Sequence, residues 1–216
     1  MNIIIRKVRV LAAPEPPFVG TSIGIAVDDP GALTWGIGGL MLANGHEKAV
    51  IAWGDGTQDE ILGNGSVTHT YARTGEYEVR ISDDIASITC SSGAVTSDFY
   101  AVYAPMIRTF VTTGTLLSDI RANCFYGTVN LTSVRFGGGG LRSIQVRAFG
   151  RCASLAGRLD LPQVVRLVAI SFVECPGITE LHFSAANEAA IRALADWERS
   201  GGRFGAENAT PIFDLT

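Results

Sequence analysis

Arg135, Asp160 and His182 occupy the same place in three segments that echo one another, LTSVRF, LAGRLDL and ITELHF. Thr132, Ser133, Arg158 and Glu180 lie on the same segments, and Arg142 follows the first of them. A guanidinium grips carboxylate or phosphate as a planar fork, and hydroxyl, carboxylate and imidazole groups beside it add further donors and acceptors. These eight residues form the candidate ligand-binding set. Because the row runs from base to acid to imidazole, pairing within the row competes with pairing to a ligand.

Catalysis has weaker claims. His46, His69 and His182 are scattered, and none stands beside a nucleophile in sequence. GTSIG at 20–24 fits a G-x-S-x-G pattern, but that motif needs a strand, a sharp turn and a helix. The following IAVDDPGALTW has no helical period, so Ser22 is not read as a nucleophile. Asp55 with Asp59 and Glu60, and the pairs Asp28–Asp29 and Asp83–Asp84, could attract a cation. A turn aspartate and solvated acid pairs are the simpler reading. No C-x-x-C pair is present, which argues against zinc, and no cofactor is implied. GGGG at 137–140 reads as a slack loop, since no helix with a lysine follows it as a phosphate cradle would require.

The elements that must hold the candidate set show as a period. Phe125, Phe149 and Phe172 are 24 and 23 residues apart, and Leu131/Leu155/Ile178, Leu117/Leu141/Val164 and Ile120/Ile144/Leu167 recur with them. Three places after each Phe stands Thr128, Cys152 or Cys175, and a weaker copy, IRTFVT, lies at 107–112. Such a period with L-x-x-L-x-F strands predicts a leucine-rich-repeat solenoid, in which stacked coils bury a ladder that one coil cannot bury alone. The four cysteines are expected to be free, buried thiols. Arg151 and Glu174, equivalent places one coil apart, are expected to pair on the surface. In SAANEAAIRALADWERSGG, Ser184 or Asn187 is the expected cap. Ala190, Ile191, Leu194 and Trp197 form a helical stripe, and Gly201–Gly202 ends it. ATPIFDLT should be a last strand beside the final coil.

Upstream, Ala49/Ile51/Trp53, Val67/His69/Tyr71 and Tyr77/Val79/Ile81 alternate at period two around GDG, GNG and RTG turns. A small β-sandwich is expected, with His69 and Tyr71 facing inward. WGDGT…HTYARTGEYEVRI resembles the polycystic kidney disease (PKD) domain, through Trp53, Gly54, Asp55, Gly56, His69, Thr70, Tyr71, Gly75 and Tyr77. That resemblance implies an immunoglobulin-like sandwich acting as a spacer or adhesion module without catalysis. The repeats, AFGRCASL above all, resemble BspA-like leucine-rich repeats, although Thr128 replaces a Cys in the first copy and ISF replaces the usual alanine–phenylalanine pair in the third. This second resemblance implies a surface or secreted protein that binds proteins, cells or glycans. The pairing of the two modules also looks like phage tail accessory proteins.

Charge divides the chain in the same way. Residues 21–100 hold three basic and eleven acidic side chains, whereas 120–170 hold seven arginines against Asp160 alone. The expected units are a PKD-like sandwich over 1–84 and the repeats with their cap over 85–216, with repeats at about 107–183 and the cap at 184–216. Apolar residues make up 47 % and charged residues 18 %, against roughly 25 % charged in an average domain, so a large core is expected. No apolar run reaches the ~18 residues of a membrane span. A net charge of −4 argues against nucleic acid as the partner. The N-terminal MNIIIRKVRV is broken by Arg6, Lys7 and Arg9, which does not suit a secretory signal, and reads as a strand. The expected function is noncatalytic recognition of a protein or acidic glycan by the exposed repeat strands, with self-association possible. A structural virion component comes second and a hydrolytic enzyme a distant third.

Overall fold

The computed structural model describes residues 17–28, 34–90 and 104–216, and the chain is mainly β. The strand expected over the first ten residues, and Asp29, lie outside the described residues. The strands are β1 (Gly20–Val27), β2 (Thr34–Leu42), β3 (Lys48–Ala52), β4 (Gln58–Leu62), β5 (Gly65–Thr70), β6 (Gly75–Ser82), β7 (Ile85–Thr89) and β8 (Ile107–Thr112). After them come β9 (Asp119–Ile120), β10 (Ser133–Phe136), β11 (Ser143–Ile144), β12 (Gly157–Leu161), β13 (Arg166–Leu167), β14 (Ile178–Ser184) and β15 (Thr210–Leu215). Helices α1 (Glu188–Arg192) and α2 (Ala195–Ser200) lie between the last two strands.

Two six-stranded sheets run the length of the fold, ordered β10-β8-β1-β6-β3-β4 and β13-β11-β9-β7-β2-β5, and a third is ordered β12-β14-β15. Each long sheet changes character at one strand. β8 pairs antiparallel with β1 and parallel with β10; β7 pairs antiparallel with β2 and parallel with β9. The boundary drawn between residues 84 and 85 therefore falls at the turn from β6 to β7, and both sheets pass through it unbroken. Apolar residues from both sheets and from the later coils share one buried cluster.

The recurring residues meet inside that cluster. Phe110, Phe125, Phe149 and Phe172 are fully buried and form a file with ring centroids 4.7, 5.0 and 5.7 Å apart. The Phe125, Phe149 and Phe172 rings lie nearly parallel, at 12° and 14°, and stack one repeat on the next near the ~4.8 Å strand spacing, whereas Phe110 meets Phe125 tilted at 56°. The amides of Phe125, Phe149 and Phe172 donate to the carbonyls of Ala148, Ser171 and Phe204 at 2.7, 3.0 and 2.9 Å. The last of these ties the C-terminal segment to the stack. Ile88, Ile120, Ile144 and Leu167 form a second inward row across β7, β9, β11 and β13.

The position three after each Phe takes a small donor because a phenylalanine carbonyl waits there. Thr128 Oγ1 and Cys152 Sγ both donate to Phe125 O, at 2.7 and 3.3 Å, and Cys175 Sγ donates to Phe149 O at 2.8 Å. All four cysteines are buried and free. Burial pushes the Cys124 and Cys152 thiols well above their ordinary value; Cys152 stays protonated as a donor, while Cys124 Sγ accepts from the Cys90 amide at 3.2 Å.

Trp53, Asp55, His69, Tyr71 and Tyr77 also form one assembly. Trp53 is fully buried, stacks on His69 at 4.8 Å, donates from Nε1 to Asp59 at 2.8 Å, and accepts the Tyr71 hydroxyl on its carbonyl at 2.9 Å. Asp55 accepts from the Thr57 amide and hydroxyl at 3.0 and 2.6 Å, and bonds the His69 ring at 2.8 Å. Desolvation alone would raise the Asp55 carboxyl; the Thr57 and His69 bonds outweigh it and hold it at about 2.

Three expectations need correction. The C-terminal stripe is not one helix: the chain breaks at Leu194, which is extended (φ −64°, ψ 134°), leaving α1 and α2 as separate turns. Ala190 is exposed, and Ile191, Leu194 and Trp197 alone reach the core. Ser184 supplies a cap, accepting from Ala186 N at 3.3 Å, and Gly201 closes α2 in the left-handed region. The segment 137–140 is not slack, because Gly138 and Gly140 press against the backbone of residues 113–117. Finally, Asp83 and Asp84 are not bare acids. Asp83 accepts the amides of Thr115 and Leu116 at 2.8 and 3.1 Å, and Asp84 bonds His46 at 2.7 Å.

Candidate functional site

The segment LAGRLDL is one residue longer than LTSVRF before it and ITELHF after it. The extra residue is absorbed at Ala156–Gly157, where Gly157 takes φ +79° and the β12–β14 register shifts between Gly157 and Arg158. Beside it the strand ladder is interrupted, although the Phe125–Phe149–Phe172 file is not. β12 pairs with β14 and not with β10, and β10 ends the first long sheet. Between these two edges lies an open groove of about 570 Å³, lined by Thr132, Ser133, Arg135, Gly157, Arg158 and Asp160 among others. Five of the eight candidate residues thus meet in one place.

Their charges are unevenly used. Arg135 is exposed and has no hydrogen-bond or ion-pair partner among the described residues. Arg158 gives its Nε to Asp160 Oδ1 at 2.5 Å, both side chains being about half exposed. That contact raises the Arg158 pKa, but at this exposure solvent screening leaves it little weight in stability. Arg151 and Glu174 make the same kind of surface pair at 2.9 Å.

The row Arg135–Asp160–His182 is therefore not continuous. Asp160 and His182 are register partners on β12 and β14, and Arg158 and Glu180 are another such pair, but Arg135 stands across the groove. His182, expected to face solvent, is buried: its side chain is 5 % exposed, between Asp214 on Nδ1 at 2.7 Å and Glu180 on Nε2 at 2.8 Å. A neutral imidazole donates from one nitrogen only, so two carboxylates on opposite nitrogens call for the imidazolium. Burial works against that charge and nearby Arg158 adds to the opposition, yet the two carboxylates prevail and raise the His182 pKa. The proton clips β15 to β14. Asp214 escaped the sequence reading because β15 belongs to no repeat, and only an acid on the expected last strand hinted at it.

The sign of this linkage can be measured. A histidine raised above its ordinary ~6.5 stabilises the fold fully below that pH and loses the contribution as pH rises through the folded value. The urea midpoint is expected to fall as pH rises above about 6.5, and His182→Gln should flatten that fall. An unchanged slope in the variant would show that His182 carries no such proton.

Arg142 lies elsewhere. Its guanidinium bonds Gln163 Oε1 at 2.6 Å, and it lines a second groove of about 830 Å³ with Asp119, Gln145 and Arg166, beside α2. There Asp119 accepts from Gln145 Nε2 at 2.6 Å. Nothing in the repeat pattern singled out this groove, because Asp119, Ser143 and Arg166 share a register row while differing in type. Among the described residues no group of three or more His, Cys, Asp or Glu is placed to hold a metal ion, and no helix is long and apolar enough to cross a membrane. Set against family models, curated proteins and solved structures, the chain matches none.

Proposed function

We propose that the chain is a noncatalytic recognition protein: a PKD-like, immunoglobulin-type sandwich continued by a short BspA-like leucine-rich-repeat solenoid. It meets an acid-bearing protein or glycan on the exposed faces of strands β10 and β12. The observation that carries this reading is the groove between β10 and β12, where Thr132, Ser133, Arg135, Arg158 and Asp160 converge with one guanidinium left unpaired. The Phe file and the parallel rows of β9, β11 and β13 support the solenoid. The Trp53–Asp55–His69–Tyr71 assembly supports the sandwich, since it gives each motif residue a structural duty. Sheets shared by both units make a stiff body that can present the groove at a distance, as a cell-surface or virion protein would need.

An array of surface proteins and acidic glycans, screened with the full chain and with an Arg135/Arg142/Arg158 to Ala triple variant, tests the reading. A ligand is expected whose binding drops at least tenfold in the variant. Full retention of every bound ligand would remove the arginine face from consideration.

A further inference from the structure

The groove has a chemistry specific enough to name its occupant, on the premise that this strand face is the recognition surface. Its two walls are strand edges facing each other without a ladder between them. Backbone N–H and C=O groups on such edges are free to bond an extended chain. Cα atoms of β10 and β12 approach within 8 Å across the gap, whereas an inserted strand needs two spacings, ~9.6 Å. A whole strand does not fit between them. A backbone lying along the mouth, with a side chain reaching down, does.

What reaches down must be anionic and singly charged. Arg135 offers an unshared guanidinium fork, and Arg158 commits only its Nε to Asp160. Carboxylates match that fork geometry. The Asp160 carboxylate in the same groove disfavours a dianion such as a phosphate. Thr132 and Ser133 add hydroxyls on the β10 side. A sugar acid would share the carboxylate, but a pyranose ring also presents an apolar C–H face that stacks on an exposed aromatic ring. The one aromatic side chain in the lining, Phe136, is 8 % exposed and points into the core.

We infer that the groove between β10 and β12 binds an extended acidic peptide segment, whose Asp or Glu carboxylate sits on Arg135 while its backbone lies along the groove mouth. Three probes test this on the full chain, followed residue by residue through backbone amide shifts. They are a capped seven-residue peptide of alternating serine and glutamate, the same peptide with glutamine for glutamate, and an oligogalacturonate. The glutamate peptide is expected to shift amides at 132–137 and 155–160, and to lose affinity as salt rises. Arg135→Ala should weaken it about tenfold or more and Arg135→Lys less, because the lysine keeps the charge and loses the fork. The melting temperature of each variant, expected to be unchanged at this exposed position, confirms that folding is intact.

Equal binding of the glutamine peptide would overturn the carboxylate assignment. Oligogalacturonate bound at the same amides with the glutamate peptide silent would overturn the peptide assignment, yet leave the recognition face standing. If no probe moves these amides, the inference fails; the recognition reading fails with it only if the array also finds no ligand lost in the triple variant.

Discussion

Phe149→Ala should cost about 3–5 kcal/mol of folding stability, the range for deleting a buried aromatic ring without full collapse of the cavity. Phe149 is fully buried, with rings stacked on both faces: Phe125 at 5.0 Å and Phe172 at 5.7 Å. Phe136 meets it edge-on at 6.1 Å. The neighbouring segments cannot close over the gap, because backbone bonds hold their spacing, among them Phe125 N to Ala148 O at 2.7 Å and Phe149 N to Ser171 O at 3.0 Å. Domains of ordinary stability have only ~5–15 kcal/mol in hand, so the variant should melt far below the parent. Urea unfolding followed by tryptophan fluorescence reads both size and cooperativity. Phe149→Leu, which refills most of the volume, should recover more than half the loss. A cost below about 1 kcal/mol for the alanine variant would mean that the file does not bear the stack. The two long sheets sharpen the test, because Trp53 lies far along the chain from Phe149 yet in the same buried cluster. One concerted transition is expected from both.

The stack was legible in sequence because every coil faces the same demand. A ring must fill the centre, and a small donor must reach a phenylalanine carbonyl, that of its own repeat for Thr128 and that of the preceding repeat for Cys152 and Cys175. The WGDGT…HTY pattern was legible for a related reason: Asp55 and His69 are tied by a local turn and one contact between their side chains. What stayed hidden depends on partners distant in the chain. β8 looks like one more repeat strand, and nothing in IRTFVT shows that its other edge pairs antiparallel with β1. β4, reading QDEIL, has no apolar alternation because it is an exposed edge paired only to β3. The burial of His182 required knowing that Asp214 returns beside it. The groove itself was half visible, in the single extra residue of LAGRLDL. Its meaning as a broken ladder came only with the pairing of β12 to β14 alone.

Gly138→Ala is the second large effect, and it bears on the candidate site through the end of β10. An added Cβ at Gly138 would lie 2.2 Å from Gly114 O and 2.3 Å from Thr113 O, and both are backbone atoms that cannot rotate aside. Gly138 also has φ +73°, a region costing roughly 1–2 kcal/mol for a residue with a Cβ. Overpacking adds a further ~1–3 kcal/mol, so about 2–5 kcal/mol should be lost. The neighbouring glycine is the control. Gly139 has φ +78°, but the nearest atom to its added Cβ is Gln163 Cγ at 3.9 Å, an ordinary contact. Gly139→Ala should therefore cost only the conformational ~1–2 kcal/mol. The difference between the two variants in urea isolates the close approach, and equal costs would contradict it. Relief of the clash has to move residues 137–140 away from 113–114, and Gly137 accompanies Arg135 in the groove wall. Gly138→Ala should thus weaken the glutamate peptide at a position that touches no ligand, whereas Gly139→Ala should leave binding intact. That separation ties the affinity of the groove to the backbone that fixes the Arg135 edge.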